Sequence, residues 1–366
     1  QKVLGVETMS ILVVGLLMNL CIARFTKFKY VFLTGHHSLF MACLMSAVLG
    51  TAGLSGIELI LVGGFLMGAW SAISPAIGQS YTSKVTDGDE IALGHFGSLG
   101  YYLSAWVAKY VGKAEESTED IEIPEKWGFL RDSTLSTALT MIVFYLIAAI
   151  AAGSEFVATL SGSMSPYLFA IMSAMNFAVG VAIVYSGVRM ILGDLIPAFQ
   201  GIATKIIPNA IPAVDCAVFF TYAPTAVVLG FISSFIGGII GMLILGAVGG
   251  VLIIPGLVPH FFCGATAGIY GNATGGRRGA AVGAFLNGLA ITFLPALALP
   301  VLGQLGFQNT TFGDADFAVM GLVLGNAFEW IGMAGIYGIV VIAALVLIIP
   351  NFIKTKGKVI NYVEED

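Results

Sequence analysis

Long apolar runs without charges limit what this chain can fold into more than any other feature of its sequence. About nine or ten runs are long enough to cross a hydrocarbon layer of roughly 30 Å, which takes about 20 helical residues. Because 58% of the 366 residues are hydrophobic and 10% are charged, a soluble core could not cover these surfaces. The runs lie near residues 7–24, 31–51, 55–75, 92–112, 134–153, 165–187, 220–246, 248–271, 279–304 and 315–350. The sequence therefore predicts an all-α polytopic membrane protein with about nine to eleven membrane segments, the last run being long enough for two pieces.

Composition narrows the partners that such a protein can have. The net charge is −5 and no basic domain is present, which argues against nucleic acid. Neither a Walker loop nor another ATP-binding pattern occurs, and no charged stretch is long enough for a phosphocarrier domain. The cysteines have no paired spacing, so we interpret them as packing residues and predict no disulfide, metal site or cofactor. They are Cys21, Cys43, Cys216 and Cys263.

An internal repeat divides the apolar runs into two sets. FLTGHHSLF at 32–40 matches IIPGLVPHFF at 253–262, GGFLMG at 63–68 matches GAFLNG at 283–288, and IGQSYTSKVTDGD at 77–89 matches LGQLGFQNTTFGD at 302–314. The offset stays at about 220 to 225 residues through the three blocks.

Charges indicate that the two copies have opposite orientations in the membrane. Arg24, Lys27 and Lys29 precede the first block of one copy, whereas Arg277 and Arg278 follow the first block of the other. Since cytoplasmic loops collect Lys and Arg, the copies are predicted to be inverted. Inverted repeats with broken helices are typical of transporters, whose substrate binds at the breaks. Accidental scatter of so few charges is the alternative interpretation.

Several ordered motifs resemble a known family of membrane proteins. They are LTGH (33–36), VTDGDEIALGH (85–95), GVRMILGDLIPAFQGIATKIIPNAIPAVDCA (187–217) and IIPGLVPHFFCGAT (253–266). In order and approximate spacing they resemble the membrane component, enzyme IIC, of the ascorbate-specific phosphotransferase system, within the ascorbate and galactitol permease group. Family members carry a further segment before the position of Val6, and the repeat lacks a counterpart of residues 186–224 in its first copy. We therefore expect this chain to be an N-terminally shortened version of a longer protein.

The resemblance implies a function and a set of partners. A permease of this family binds a sugar acid such as ascorbate and presents it to a separate phosphorylated component, IIB, without a phosphorylation site of its own. It implies a homodimer in the bacterial plasma membrane, in which a substrate-carrying core moves past a scaffold in an elevator mechanism. No cofactor is implied.

Three residues at family motif positions are the main candidates for substrate binding. His36 occupies the LTGH position and His95 the GH position, and an imidazole offers a donor and an acceptor to hydroxyl oxygens. Asp215 matches the aspartate of the AVDCA motif, and a carboxylate in an apolar run needs a partner or a cavity. Asp215 could accept substrate hydroxyls or act as a base during phosphoryl transfer. Packing histidines and a structural aspartate that closes a helix break are the alternatives.

Other candidate positions depart from the family pattern. Phe40 and Phe96 stand where ascorbate permeases carry glutamines, so both are predicted to shape the pocket and to change which hydroxyl groups it satisfies. His260 is peculiar to this chain and is a further candidate for substrate binding. His37 has no family counterpart, and a packing role is favoured for it.

The repeat and the charge pattern predict four regions. Residues 1–112 form the first repeat with core helices, 113–132 a solvated acidic linker, 133–220 scaffold-type helices with an amphipathic arm, and 221–366 the second repeat. Alternative functions are an ion-coupled secondary transporter of a small polar or anionic solute, a galactitol-type permease, and a membrane receptor that does not transport.

Overall fold

The computed structural model describes residues 5–122, 133–303 and 312–353. Seven of the described helices are long and apolar enough to cross a membrane: Val6–Phe25, Gly56–Thr86, Thr134–Ala152, Pro166–Gly187, Pro224–Ala247, Leu257–Val301 and Met333–Phe352. The prediction of a helical, polytopic membrane protein is confirmed.

The described part of the chain contains twelve α-helices and three short strands. In chain order they are α1 (Val6–Phe25), β1 (Tyr30–Phe32), α2 (Gly35–Thr51), α3 (Gly56–Thr86), β2 (Ala92–Leu93), α4 (Ser98–Val111), α5 (Ser133–Ala152), α6 (Ser154–Ser161), α7 (Pro166–Lys205), β3 (Ile211–Val214), α8 (Cys216–Phe219), α9 (Pro224–Ala247), α10 (Leu257–Gly303), α11 (Ala315–Ile331) and α12 (Met333–Ile348). Single 3-10 turns lie at Thr118–Asp120 and Ile349–Phe352.

Some of the predicted apolar runs fold as more than one element. The run 31–51 contains most of β1 and then α2, and the run 92–112 contains β2 and α4. The run 315–350 is divided into α11 and α12 at Gly332, whose φ of +62° favours glycine. The division of this last run into two pieces agrees with the prediction from its length.

The three short strands form a parallel sheet in the order β1–β3–β2, which the sequence does not predict. Phe32 pairs with Ala213 on one side of β3, and Leu93 pairs with Val214 on the other. All strand residues are buried, as expected for parallel strands covered on both faces. Because the strands are parallel, their carboxyl ends meet at one edge, and the residues that follow them come together there.

Apolar packing between α4, α7, α8, α9 and α10 forms the largest core. Large aromatic side chains fill it, among them Tyr101, Phe219, Phe231 and Tyr270, all of which are fully or almost fully buried. At such packing density the core holds the elements around the carboxyl edge of the sheet in fixed positions.

The buried carboxylate of Asp316 joins three helices near the same edge. It accepts hydrogen bonds from Trp70 Nε1 on α3 (3.1 Å), Ser98 Oγ (2.7 Å) and the backbone N–H of Leu99 at the start of α4 (3.0 Å). The backbone N–H of Asp316 in turn donates to the carbonyl oxygen of Phe96 (2.9 Å). A buried carboxylate with three donors is satisfied without a counter-ion, so we interpret Asp316 as a structural residue.

A break at Gly275 and Gly276 divides α10 into two helical segments. Gly276 has φ of +59°, and the carbonyl oxygens of Lys113 and Glu116 occupy the space where a Cβ would lie. A side chain at this position would collide with the backbone that follows α4.

The start of the acidic linker is bound to the helices beside this break. The N–H of Arg277 donates to the carbonyl oxygen of Glu116, and the N–H of Thr118 donates to Asn272 Oδ1, both at 2.8 Å. The Glu119 carboxylate accepts N–H groups at the start of α9 at 3.0 and 3.1 Å, which caps that helix. The sequence predicts a solvated loop here, but its described part is anchored. Residues 123–132 of the linker and 304–311 of the third repeat block lie outside the described residues.

Candidate substrate site

A cavity of about 420 Å³ lies at the carboxyl edge of the sheet. Its lining comes from the connections that follow β2 and β3, from α7, and from the starts of α2, α8, α10 and α11. The polar lining residues are His36, His37, His95, Asp215 and Asp314. The larger apolar ones are Phe40, Val184, Val258, Pro259 and Phe262. A volume of this size suits a small ligand.

His36 and Asp215 form one wall of the cavity, which we name the exposed pair. They follow the neighbouring strands β1 and β3, and His36 Nε2 lies 3.6 Å from Asp215 Oδ2. The backbone N–H of Ala217 donates to Asp215 Oδ1 (3.1 Å), which fixes the carboxylate. The side chains are 58% and 30% exposed, so a ligand in the cavity can reach both.

His37 and Asp314 form a second wall, which we name the buried pair after the buried ring of His37. The backbone N–H of Phe96 donates to His37 Nδ1 (3.2 Å), so the proton of the neutral ring is on Nε2. Nε2 lies 4.0 Å from Asp314 Oδ2, and the Cys263 thiol donates to Asp314 Oδ1 (2.5 Å). The His37 ring also stacks on Phe317 with ring centroids 5.5 Å apart.

His95 lies between the two walls and is buried. Its Nδ1 accepts hydrogen bonds from the N–H of Gly97 (3.2 Å) and the hydroxyl of Tyr101 (2.9 Å), which leaves the ring proton on Nε2. The His95 ring centroid is 3.8 Å from that of His37. Two neighbouring rings therefore each have an Nε2–H donor whose position is fixed by a backbone hydrogen bond.

One group of side chains has a spacing that could hold a metal ion. Ligand atoms of His95, Asp215 and Cys216 lie within 4.8 Å of one another. However, a protonated Nε2 cannot ligate, and Nδ1 already accepts two hydrogen bonds. The donor set therefore does not favour a metal site at these three residues.

His95 and Asp314 lie in connections outside the helices that could cross the membrane, and burial changes the pKa of both. It lowers the pKa of His95 to about 3, so this ring is neutral at pH 7. It also raises the pKa of the Asp314 carboxyl to about 6. Asp215 acts on this pKa in the same direction as burial, whereas the Cys263 hydrogen bond and His36 oppose it. The cavity thus combines a neutral ring donor with a carboxyl group that titrates close to neutrality.

The structure brings four of the six predicted site residues to the cavity: His36, Phe40, His95 and Asp215. Phe96 instead lies fully buried, where its ring stacks on Phe32 with centroids 4.5 Å apart. His260 lies outside the cavity lining, with Nδ1 2.9 Å from Ser234 Oγ.

The cavity is also lined by Asp314, which the sequence does not predict as a site residue, and by His37, for which the sequence favours a packing role. The available signal for Asp314 was the same as for Asp215, a carboxylate inside an apolar run. In the repeat alignment, however, Asp314 matches Asp89 of the stretch TDGD, whose residues favour a turn, so the repeat alone does not indicate a binding role for Asp314.

Comparison with known proteins gives two matches. The EIIC-GAT family model, described as the PTS system sugar-specific permease component, matches residues 1–316. The ascorbate-specific PTS system EIIC component of Mycoplasma pneumoniae is 25% identical over 307 residues. That alignment covers 72% of this chain and 46% of the relative, so the chain spans less than half the length of this curated relative.

Proposed function

Because the chain belongs to the EIIC-GAT family of sugar-specific permease components, we propose that its cavity binds a sugar acid of the ascorbate type. The permease would then present this substrate to a separate phosphorylated IIB component on the cytoplasmic side. The family assignment confirms the resemblance identified from the motifs and the expectation of a multi-pass membrane protein. The sugar acid, the IIB component and the transport mechanism are parts of the proposal.

The observation that carries the proposal is the alternation of donors and acceptors around the cavity. The Nε2–H groups of His37 and His95 donate, and the carboxylates of Asp215 and Asp314 accept. A sugar presents hydroxyl groups that both donate and accept, so such a ligand can satisfy both kinds of group. A ligand without these hydroxyls would leave buried polar groups unpaired, at a cost in affinity.

The helices around the cavity support a preference for a negatively charged ligand. α2, α10 and α11 all begin beside it, and residues of their first turns or N-caps line it. The N-terminus of a helix carries a partial positive charge and free N–H groups, which favour anions such as the ascorbate enolate. Broken helices in transporters present their ends to substrates in the same way.

The directions of two helices support a transport function. The repeat makes α3 equivalent to the second segment of α10, and the two run in opposite directions. Near the end of α3, the ring of Tyr81 lies 4.8 Å from Lys109 Nζ near the end of α4. Arg277 pairs with Glu116 just after α4, at 3.8 Å, so the second segment of α10 begins close to the end of α4. α3 therefore ends at the same side of the membrane at which the second segment of α10 begins, as expected for inverted repeats. Lys84, Lys109 and Arg277 lie at this side, which we assign to the cytoplasm.

We include the homodimer and the elevator mechanism in the proposal. α5 and α7 pack against each other and expose apolar side chains, among them Ile147, Val179 and Ile183. A scaffold made from these helices would hold two copies together while the helices around the cavity move. The molecular mass of the purified protein in detergent tests the dimer.

The direct test is binding of radiolabelled ascorbate to purified protein, with galactitol and simple sugar acids as competitors. We expect saturable binding that is lost or strongly weakened in His36→Ala and Asp215→Asn. His260→Gln is the matched control. Because His260 lies outside the cavity lining, this variant should still bind ascorbate. Folded parent protein that binds galactitol but not ascorbate would instead support the galactitol-type permease.

Asp215 has a second proposed role, as the base that accepts the proton of the attacking hydroxyl during phosphoryl transfer. Its Oδ2 faces His36 rather than a backbone donor, and the residue lines the cavity, so this oxygen is placed to contact a substrate hydroxyl. With phosphorylated IIB present, Asp215→Asn would then lose phosphorylation more strongly than a correction for its weaker binding explains.

Ion-coupled transport is the second candidate function, because titratable carboxyl and imidazole groups lie together in the cavity. Uptake of ascorbate into proteoliposomes separates the two functions. A permease of the phosphotransferase type requires phosphorylated IIB, whereas a secondary transporter requires only a proton or sodium gradient.

A further inference from the structure

The charges that line the cavity create a difficulty for an anionic ligand. Among the described lining residues, Asp215 and Asp314 are acidic and none is Lys or Arg. His37 and His95 use Nδ1 to accept backbone N–H groups, so protonation of either ring would remove a hydrogen bond. An anion would therefore add a third negative charge to a cavity of about 420 Å³ that holds no permanent cation.

The two carboxylates differ in how their charge is balanced. Asp215 faces the exposed imidazole of His36 at 3.6 Å and accepts an N–H at the start of α8. Among the described residues, Asp314 faces the neutral ring of His37, at 4.0 Å, and accepts the thiol of Cys263. A weak thiol donor and a distant neutral donor stabilise a carboxylate less than a backbone N–H and a ring that can become charged. Asp314 is therefore the acid whose ionised form is less stabilised.

We infer that Asp314 takes up one proton from solvent when an anionic sugar acid enters the cavity, so that the site binds the ligand and a proton together. The inference rests on the proposed function. The proton goes to Oδ2, since Oδ1 accepts the Cys263 thiol. The protonated carboxyl can then donate a hydrogen bond to a ligand oxygen, which an ionised carboxylate cannot do.

Other titratable groups lie around Asp314 and could compete for the proton. They are His36 and His37 on α2, His95 before α4, Tyr101 on α4, Asp215 and Cys216 at the start of α8, Cys263 on α10 and Asp316 on α11. His36 is one competitor, because it is exposed and lies beside a carboxylate, and Asp316 is another, because burial raises the pKa of its carboxyl to about 7. Asp316 already accepts three hydrogen bonds, and the hydroxyl and thiol groups have no need of a proton at neutral pH.

Proton uptake can be counted by titration calorimetry of the purified protein with ascorbate. Measurements at pH 7.5 in buffers of different ionisation enthalpy give the number of protons bound per ligand. We expect close to one proton for the parent protein, and none for galactitol, the uncharged probe, if it binds. The dissociation constant for ascorbate should rise about tenfold per pH unit above pH 7.

Two variants identify the group that takes up the proton. Asp314→Asn has no carboxyl to protonate, so its proton count should fall to near zero and its affinity for ascorbate should not change with pH. His36→Gln should retain the proton count even if it binds more weakly. Should the asparagine variant fail to fold, the proton count of the parent still decides whether a proton binds with the ligand, and that of His36→Gln decides whether His36 holds it.

Each contrary result has a distinct meaning. Binding of ascorbate by the parent without proton uptake overturns the inference and leaves the proposed function intact. Uptake that persists in Asp314→Asn or disappears in His36→Gln also overturns it, since the proton would then be on another group. Folded parent protein that binds no ascorbate overturns the proposed sugar acid and this inference together.

Discussion

The two walls of the cavity place the same residue types in different environments. In the exposed pair His36 is 58% exposed and lies 3.6 Å from Asp215, whereas in the buried pair His37 is 4% exposed and 4.0 Å from Asp314. Neighbouring residues on a helix point about 100° apart, so the two adjacent histidines line different parts of the cavity, and His37 is at the same time packed into the core. The comparison teaches that most of the His36 ring is open to a ligand, while His37 presents only its Nε2–H to the cavity and holds the backbone at Phe96 through Nδ1.

The largest expected effect comes from removing the buried ring. His37→Ala leaves the N–H of Phe96 without an acceptor and opens a space beside Phe317, so we expect a loss of about 3 kcal/mol in the free energy of unfolding. Unfolding of the purified variant in detergent measures this loss. A variant as stable as the parent would show that His37 does not hold the backbone at Phe96.

The exposed ring should show the opposite pattern. His36→Ala removes a side chain that is more than half exposed, so stability should change by less than about 0.5 kcal/mol. Affinity for ascorbate should fall about tenfold, which corresponds to about 1.4 kcal/mol. Binding and unfolding measured on the same preparation check both parts, and loss of stability without loss of affinity would contradict the comparison.

A pair of amide substitutions sharpens the description of the buried wall. The Oδ1 atom of His37→Asn can take the place of Nδ1 and accept from Phe96, whereas the amide of His37→Gln reaches toward the place of Nε2. We expect the asparagine variant to be more stable by about 1 kcal/mol. Equal stabilities would mean that the bond to Phe96 contributes little.

The smallest effect is expected for a histidine that belongs to neither wall. His260→Gln keeps a polar group near Ser234 and lies outside the cavity lining, so its affinity for ascorbate should remain within about twofold of the parent. A larger loss of affinity in the binding assay would show that His260 belongs to the substrate site, as the sequence predicts.

Much of the fold could be predicted because membrane helices leave a strong signal in sequence. The apolar runs identify the class of protein, and the motifs identify the family. Strands of two to four residues, buried on both faces, have no alternating pattern, so β1 and β2 could not be predicted at the starts of runs interpreted as spans, nor β3 in the segment between the runs 165–187 and 220–246. The division of the chain into repeats, linker and scaffold stays a prediction.

The candidate site was predictable only where a motif marked a residue. His36, His95 and Asp215 lie far apart in sequence, and the parallel sheet brings them to one edge. Whether a phenylalanine lines the cavity depends on packing, which is why Phe40 lines it and Phe96 lies against Phe32. Their binding roles stay predictions until affinities are measured.

The position of β3 between β1 and β2 has a consequence for the order of events during biosynthesis. Phe32 and its partner Ala213 are separated by about 180 residues. At roughly 5 to 20 residues per second, the ribosome delivers the central strand about 10 to 40 s after the first edge strand. Until then the inserted first helices hold strand edges that lack their partner, and a chain arrested before Ile211 could not assemble the cavity.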